Sequence, residues 1–226
     1  MRYKIYYHFF GILLTLVAGF IYAIPNLVFI SSYSYKGIPI MVSDGEYMYI
    51  GKMNAVYNGC ILDCNPYIKE YRDNFPHFNK SISETVLSIP GIILDLPIFK
   101  LKLIYEFLLP CSLFFLFYCL IFRLTRNRLL SSLGATIFIF GANIINSVDL
   151  LNIPEIIDMF HLKTKQIMFL PFSRPINPQF SSIIFVTYLH ILLSTVIKKT
   201  RRHYILLALL YGLSFYVYFF IYAFIT

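Results

Sequence analysis

Long apolar runs in this chain alternate with short polar stretches, and the runs set the first expectation. A helix crossing the hydrocarbon core needs about 20 mostly apolar residues. Residues 5–30, 103–122, 129–148 and 203–225 meet that length, and 180–197 comes close, with His190 inside it and basic residues directly after it. The pattern predicts an all-α, polytopic integral membrane protein with about five transmembrane helices. It is read as a single membrane domain over residues 1–226, with outer loops at 31–102 and 149–179 and almost no charge inside the spans.

The first outer loop is too long for a mere connector, and long loops are where function concentrates. Residues 44–58 read as a short helix, because Tyr49, Met53, Val56 and Tyr57 recur at helical spacing and Asn58-Gly59 supplies a stop. Asp63 to Lys80, rich in Asn, Pro, Asp and Lys, reads as irregular. Residues 84–99 are apolar but interrupted by Pro90, Gly91 and Pro97, which places them as an interfacial or re-entrant segment. The second outer loop carries a helix candidate with Glu155, Asp158 and His161. Successive spacings of three drift around a helix, so a solvated face is a better reading of these residues than an ion site.

Composition agrees with the pattern. The chain is 58% hydrophobic and 13% charged, and a soluble domain spends about a quarter of its residues on charge. Basic residues collect on the cytoplasmic side of membrane proteins. With the N-terminus inside, the inner segments hold Arg2, Lys4, Arg123, Arg126, Arg128, Lys198, Lys199, Arg201 and Arg202, and no acidic residue. The net charge of +8 is thus an inner +9 set against −1 over the rest of the chain. The basic balance is therefore orientation and not a nucleic-acid footprint, which needs a basic face on a soluble domain. The first apolar run is longer than a cleavable signal core of about 7–15 residues and is read as an uncleaved anchor. Cys60 and Cys64 share the first outer loop and could pair on an oxidising face, whereas Cys111 and Cys119 lie in a span as packing residues. No zinc-ligand spacing accompanies any of the four.

Candidate chemistry centres on Ser43-Asp44-Gly45-Glu46. Ser43 and Glu46 fit a capping box, and the helix dipole favours Asp44 in the first turn, so local structure alone accounts for both acids. The chemical reading makes one carboxylate a general base that takes a proton from an acceptor hydroxyl attacking an activated sugar. A phosphate leaving group needs no general acid, so one base and one phosphate-binding cation are enough. Arg174, in the stretch Ser173-Arg174-Pro175-Ile176-Asn177-Pro178-Gln179, is the candidate cation, its guanidinium matching phosphate oxygens in a fork. The alternative, equally weighted, is an arginine snorkelling to the interface. His190 either bonds a neighbouring helix or lines a polar cavity. The aromatic last span, with Tyr211, Phe215, Tyr216 and Phe219, is read as packing and an interfacial belt. Asn79-Lys80-Ser81 matches a glycosylation sequon.

Four stretches, SDGEYMYIGKMNAVYNG, NPYIKEYRDNFPHF, FSRPINPQFS and YGLSFYVYFFIYAF, taken in order, resemble the N-terminal part of bacterial membrane proteins of the GT-C glycosyltransferase class. The resemblance implies transfer of a sugar from a polyprenyl-phosphate donor to an acceptor on the extracytoplasmic face of the inner membrane. Asp44 then matches the catalytic acid early in the first outer loop, with Glu46 the second candidate, while Arg174, Asn177 and Gln179 serve the donor. Some members use a divalent metal, and the Asp-Gly-Glu pattern leaves that open. Members carry more spans than this chain, which stops at Thr226 at the end of a span, so the expectation is the N-terminal part of a larger fold. The expected partners are a lipid-linked sugar donor and membrane lipid, with no nucleic acid. A non-catalytic membrane scaffold that joins a second membrane subunit is the competing reading. A transporter is disfavoured, because the pattern shows no paired broken helices and almost no charge inside the spans.

Overall fold

The computed structural model describes the backbone of residues 2–31, 36–38, 44–59, 82–145, 175–217 and 225, and side chains over 8–31, 36–38, 47–59, 82–141, 178–217 and 225. All regular structure among the described residues is helical. The helices are α1 (Arg2–Ile30), α2 (Asp44–Tyr57), α3 (Ile82–Ile93), α4 (Ile98–Thr125) and α5 (Arg128–Ile145), then a π-helical stretch Pro175–Phe180, α6 (Ser181–Lys198) and α7 (Arg201–Val217).

Three helical segments are long and apolar enough to cross a membrane: His8–Ile30, Ile98–Thr125 and Pro178–Lys198. These mark a membrane protein. The last contains the run 180–197, the shortest of the five in the sequence; the π-helical stretch extends it N-terminally to 21 residues. The runs 129–148 and 203–225 correspond to α5, with 18 residues, and α7, with 17, and neither is among the three within the described residues. The second span also starts earlier than its apolar run. Helix α4 begins at Ile98, directly after Pro97, whose fixed φ suits a helix start and whose carbonyl accepts from the Lys100 and Leu101 amides at 2.9 and 3.1 Å.

The chain divides into two compact units, Met1–Val42 with Leu103–Gln179, and Ser43–Lys102 with Phe180–Thr226. In the first, Gly11, Thr15, Ala18, Gly19, Tyr22, Ala23 and Asn26 form the buried stripe of α1, while Phe9, Phe10, Leu13, Leu16, Val17 and Phe20 point outward. Small residues let the backbones of α1 and α4 come close: a Cβ at Gly19 would meet the Cys111 sulfur and lie 2.8 Å from the Phe107 carbonyl oxygen. This is small-residue packing in which the greasy side chains are left for lipid. Cys111 is a packing residue, as its place in the run predicts. Helix α5 repeats the pattern, with Ser131, Ser132 and Ala135 buried and Leu129, Leu130, Leu133 and Ile137 exposed. Asn127 caps α5 through its Oδ1, which accepts from the amides of Leu129 at 2.9 Å and Leu130 at 3.2 Å.

In the second unit, α2 and α3 pack together, α3 also meets α7, and α6 and α7 pair through a tight turn. Lys199 closes α6 in the left-handed conformation, φ 47°, its amide donating to the Thr195 carbonyl. Thr200 then opens α7, its hydroxyl bonded to His203 Nδ1.

Candidate functional site

Helix α2 forms where its periodicity places it. Met53 and Val56 are buried, Tyr49 and Tyr57 half-buried, and the helix ends at Asn58-Gly59, where Gly59 takes φ 88°. Asp44 and Glu46 fall in its first turn, Asp44 as the first helical residue, at the end where the helix dipole favours a carboxylate. The capping contacts of Ser43 and Glu46 lie outside the described side chains, as does any contact of Asp44.

Two contacts fix α2 to α3 and to the turn that follows it. Lys52 Nζ stands 3.7 Å from Glu84 Oε1, with the carboxylate nearly enclosed and the ammonium slightly open to the surface. Near the end of α2, the Tyr57 hydroxyl donates to the Leu96 carbonyl at 3.1 Å. Gly91 makes room for this, since a Cβ there would fall on the Tyr57 hydroxyl. Burial pushes the Glu84 carboxyl above the ordinary glutamate range, and the nearby Lys52 offsets only part of that. Burial likewise raises the Tyr57 phenol.

The interruptions at Pro90 and Gly91 do not break the helix. Helix α3 runs through both to Ile93, and the chain turns only at Asp95, with φ 50°, before Pro97. Proline costs a helix one hydrogen bond, here the one that would close on the Val86 carbonyl.

The other sequence candidates are less gathered. Asn177 and Gln179 share the π-helical stretch, with Gln179 fully buried. Arg174 lies outside the described residues, as do Cys60, Cys64, the loop from Asp63 to Lys80 and the candidate helix of Glu155, Asp158 and His161. Asp44 and Glu46 belong to one compact unit, Asn177 and Gln179 to the other. His190 is half-buried on α6, its carbonyl accepting from Ser194 Oγ at 2.7 Å. Among the described residues no group of three or more His, Cys, Asp or Glu side chains is placed to hold a metal ion.

The structure adds polar residues that the sequence pattern passes over. Glu106 lies inside the second span. Asn26 Nδ2 donates to both its carboxylate oxygens, at 2.7 and 2.8 Å, and both residues are buried. Lys102, also buried, stands one helical turn before Glu106 on α4. One turn before Asn26, the Tyr22 hydroxyl donates to the Ile139 carbonyl of α5 at 3.1 Å. His8 Nδ1 is 2.7 Å from the Tyr118 hydroxyl, and its ring meets Phe122 edge-on. The available signals were Asn26 after Pro25 in an apolar run, and the Lys102–Glu106 spacing of four at the edge of the next.

Compared with family models, with curated proteins and with solved structures, the chain matches none, so its function has to be argued from its own residues.

Proposed function

We propose that this chain is an integral membrane protein of the GT-C glycosyltransferase kind, moving a sugar from a polyprenyl-phosphate donor to an acceptor on the extracytoplasmic face. In this reading the N-terminus is cytoplasmic and the membrane is a bacterial inner membrane. The observation that carries the reading is α2: a short helix with Asp44 in its first turn, tied down by Lys52–Glu84 and by Tyr57, in a chain with membrane-length helices. The resemblance of SDGEYMYIGKMNAVYNG to the class supplies the chemistry.

Asp44 takes the acceptor hydroxyl proton as the oxygen attacks the anomeric carbon. The bond from that carbon to the phosphate oxygen breaks, and polyprenyl phosphate leaves with the electron pair. Arg174 steadies the phosphate as a bidentate partner, with Asn177 and Gln179 on the donor side. Glu46 serves the cap of α2.

Vesicles carrying the wild-type chain and a radiolabelled polyprenyl-phosphate hexose test this by donor consumption. Asp44→Asn lowers turnover by about 100-fold or more, the size of a general-base contribution, and Glu46→Gln lowers it much less. Unchanged turnover in both variants removes the base assignment. No turnover by wild type alone, with activity appearing once a second polytopic subunit co-purifies, replaces the catalytic reading with the scaffold one.

A further inference from the structure

We infer that the outer face of α3 is a lipid-contact surface, with Val86, Ile89, Ile92 and Ile93, and Leu94 just after it, lying against the acyl chains of the bilayer although the described residues of the helix are too few to cross it. Its 12 residues rise about 18 Å, against a hydrocarbon core of about 30 Å.

The polarity of α3 is inverted. A surface helix in water turns its apolar side to the core and its polar side to solvent. Here Ser83, Glu84 and Ser88 are 3%, 5% and 0% exposed, while Ile89, Ile92, Ile93 and Leu94 are 46%, 48%, 75% and 65% exposed. The buried polar side has its partners inside the protein. Glu84 meets Lys52, Ser83 Oγ donates to the Val217 carbonyl at 3.4 Å, and Ser88 Oγ donates to the Glu84 carbonyl at 2.7 Å.

Acyl chains are the occupant for two reasons. The same inversion marks α1, a helix of membrane length, where small and polar residues are inside and Phe, Leu and Val outside. The apolar exposure also runs on in the chain to α4, another membrane-length helix, which begins four residues after Leu94 and exposes Ile104 and Leu108. Two exposed charges interrupt it, Asp95 at the connection and Lys100 in the first turn of α4, where the chain would reach the headgroups. Because Lys52 ties α2 to α3 and Tyr57 ties it to the turn that follows, a lipid-seated α3 holds α2 at the membrane surface. The inference concerns solvent exposure and stands whether or not Asp44 is a base.

The chain has no tryptophan, so Ile89→Trp and Ile93→Trp each create a single reporter, and Asn58→Trp at the exposed end of α2 is the control. Each full-length variant is placed in phosphatidylcholine vesicles with and without brominated acyl chains, and iodide is added to the water. For positions 89 and 93 the expected result is short-wavelength emission, quenched at least twofold by brominated lipid and little by iodide, with the opposite at 58. Iodide quenching at 89 and 93 as strong as at 58 overturns the inference, because the face is then in water. Quenching by neither overturns it too, because protein then covers the face. The unmodified chain gives an independent reading: a diazirine-bearing phosphatidylcholine should label the peptide containing residues 86–94, and labelling confined to α1, α4 and α6 overturns the inference.

Discussion

Replacing Asn26 by Leu, Glu106 by Met, and both together measures how strongly one buried polar pair holds α1 to α4. Asn26 Nδ2 reaches both carboxylate oxygens at 2.7 and 2.8 Å, and both residues are more than nine-tenths buried. A hydrogen bond to a charged group contributes about 1.5–3 kcal/mol, and removing one partner leaves the other buried without it. Removing both, with apolar side chains of similar shape, avoids the cost of a buried polar group left without its partner, so the double should lose less than the sum of the singles. Interhelical hydrogen bonds in membranes run lower, with an average of about 0.6 and a maximum of about 1.7 kcal/mol, because the separated helices find other partners. The two ranges overlap near 1.5 kcal/mol, which is the coupling expected here.

The assay is reversible unfolding in mixed micelles, followed by far-ultraviolet dichroism, for wild type, both single variants and the double. Each single variant should lose about 1.5–2 kcal/mol, and the double should lose about 1.5 kcal/mol less than the sum of the two. Additivity within about 0.5 kcal/mol would refute the reasoning, because the pair would then contribute nothing beyond two separate polar burials.

The remaining predictions concern Glu84 and the glycines. Glu84 has a folded-state pKa above its ordinary value because of burial, so the folded state holds its proton more tightly than the unfolded state. Its contribution to stability is therefore full below the ordinary glutamate range and is lost as pH rises through the raised value. Thermal unfolding between pH 4 and 8 should show stability falling less steeply with pH in Glu84→Gln than in wild type, and equal slopes would contradict this. Gly19→Ala should cost about 1–3 kcal/mol, because its methyl meets the Cys111 sulfur and the Phe107 carbonyl. Gly212→Ala has nothing within 4 Å, so relief of helical glycine should stabilise α7 by about 0.5–1 kcal/mol; chemical unfolding of the two variants should move in opposite directions.

Helix existence was legible where one physical signal dominated. Met53 and Val56 at helical spacing, followed by Asn58-Gly59, placed α2 to within a residue of its end. Helix α4 was harder. Lys100 and Lys102 made the apolar run seem to begin at 103, yet Lys102 is buried and the helix starts at Ile98. A charge count treats every lysine as a solvated end and does not see one folded inward. The same blindness hid Glu106, whose partner Asn26 lies 80 residues away in sequence. Pro90 and Gly91 misled for a different reason. Both are helix breakers by local propensity, but Gly91 is needed for the close approach of Tyr57, and tertiary contact outweighs propensity there. Of the candidate site, only the helix bearing Asp44 and Glu46 was legible, because a general base leaves no pattern beyond its own residue type.

The turn between α6 and α7 bears on the surroundings of the molecule as much as the inverted helices do. Lys198 ends α6, where the helix dipole favours a cation, but Arg201 and Arg202 begin α7, where the dipole opposes one. Each misplaced cation costs about 0.3–1 kcal/mol in water, and the first turn of α7 has no acidic residue to offset it. Both arginines are exposed, so the protein interior offers no compensation. An anionic lipid surface does, since a basic side chain near it gains about 1 kcal/mol. The same surroundings account for the apolar faces of α1 and α5, which in water would leave large side chains unburied while serine and glycine fill the interior. Water makes each of these features unfavourable, and a bilayer with charged headgroups makes both favourable at once.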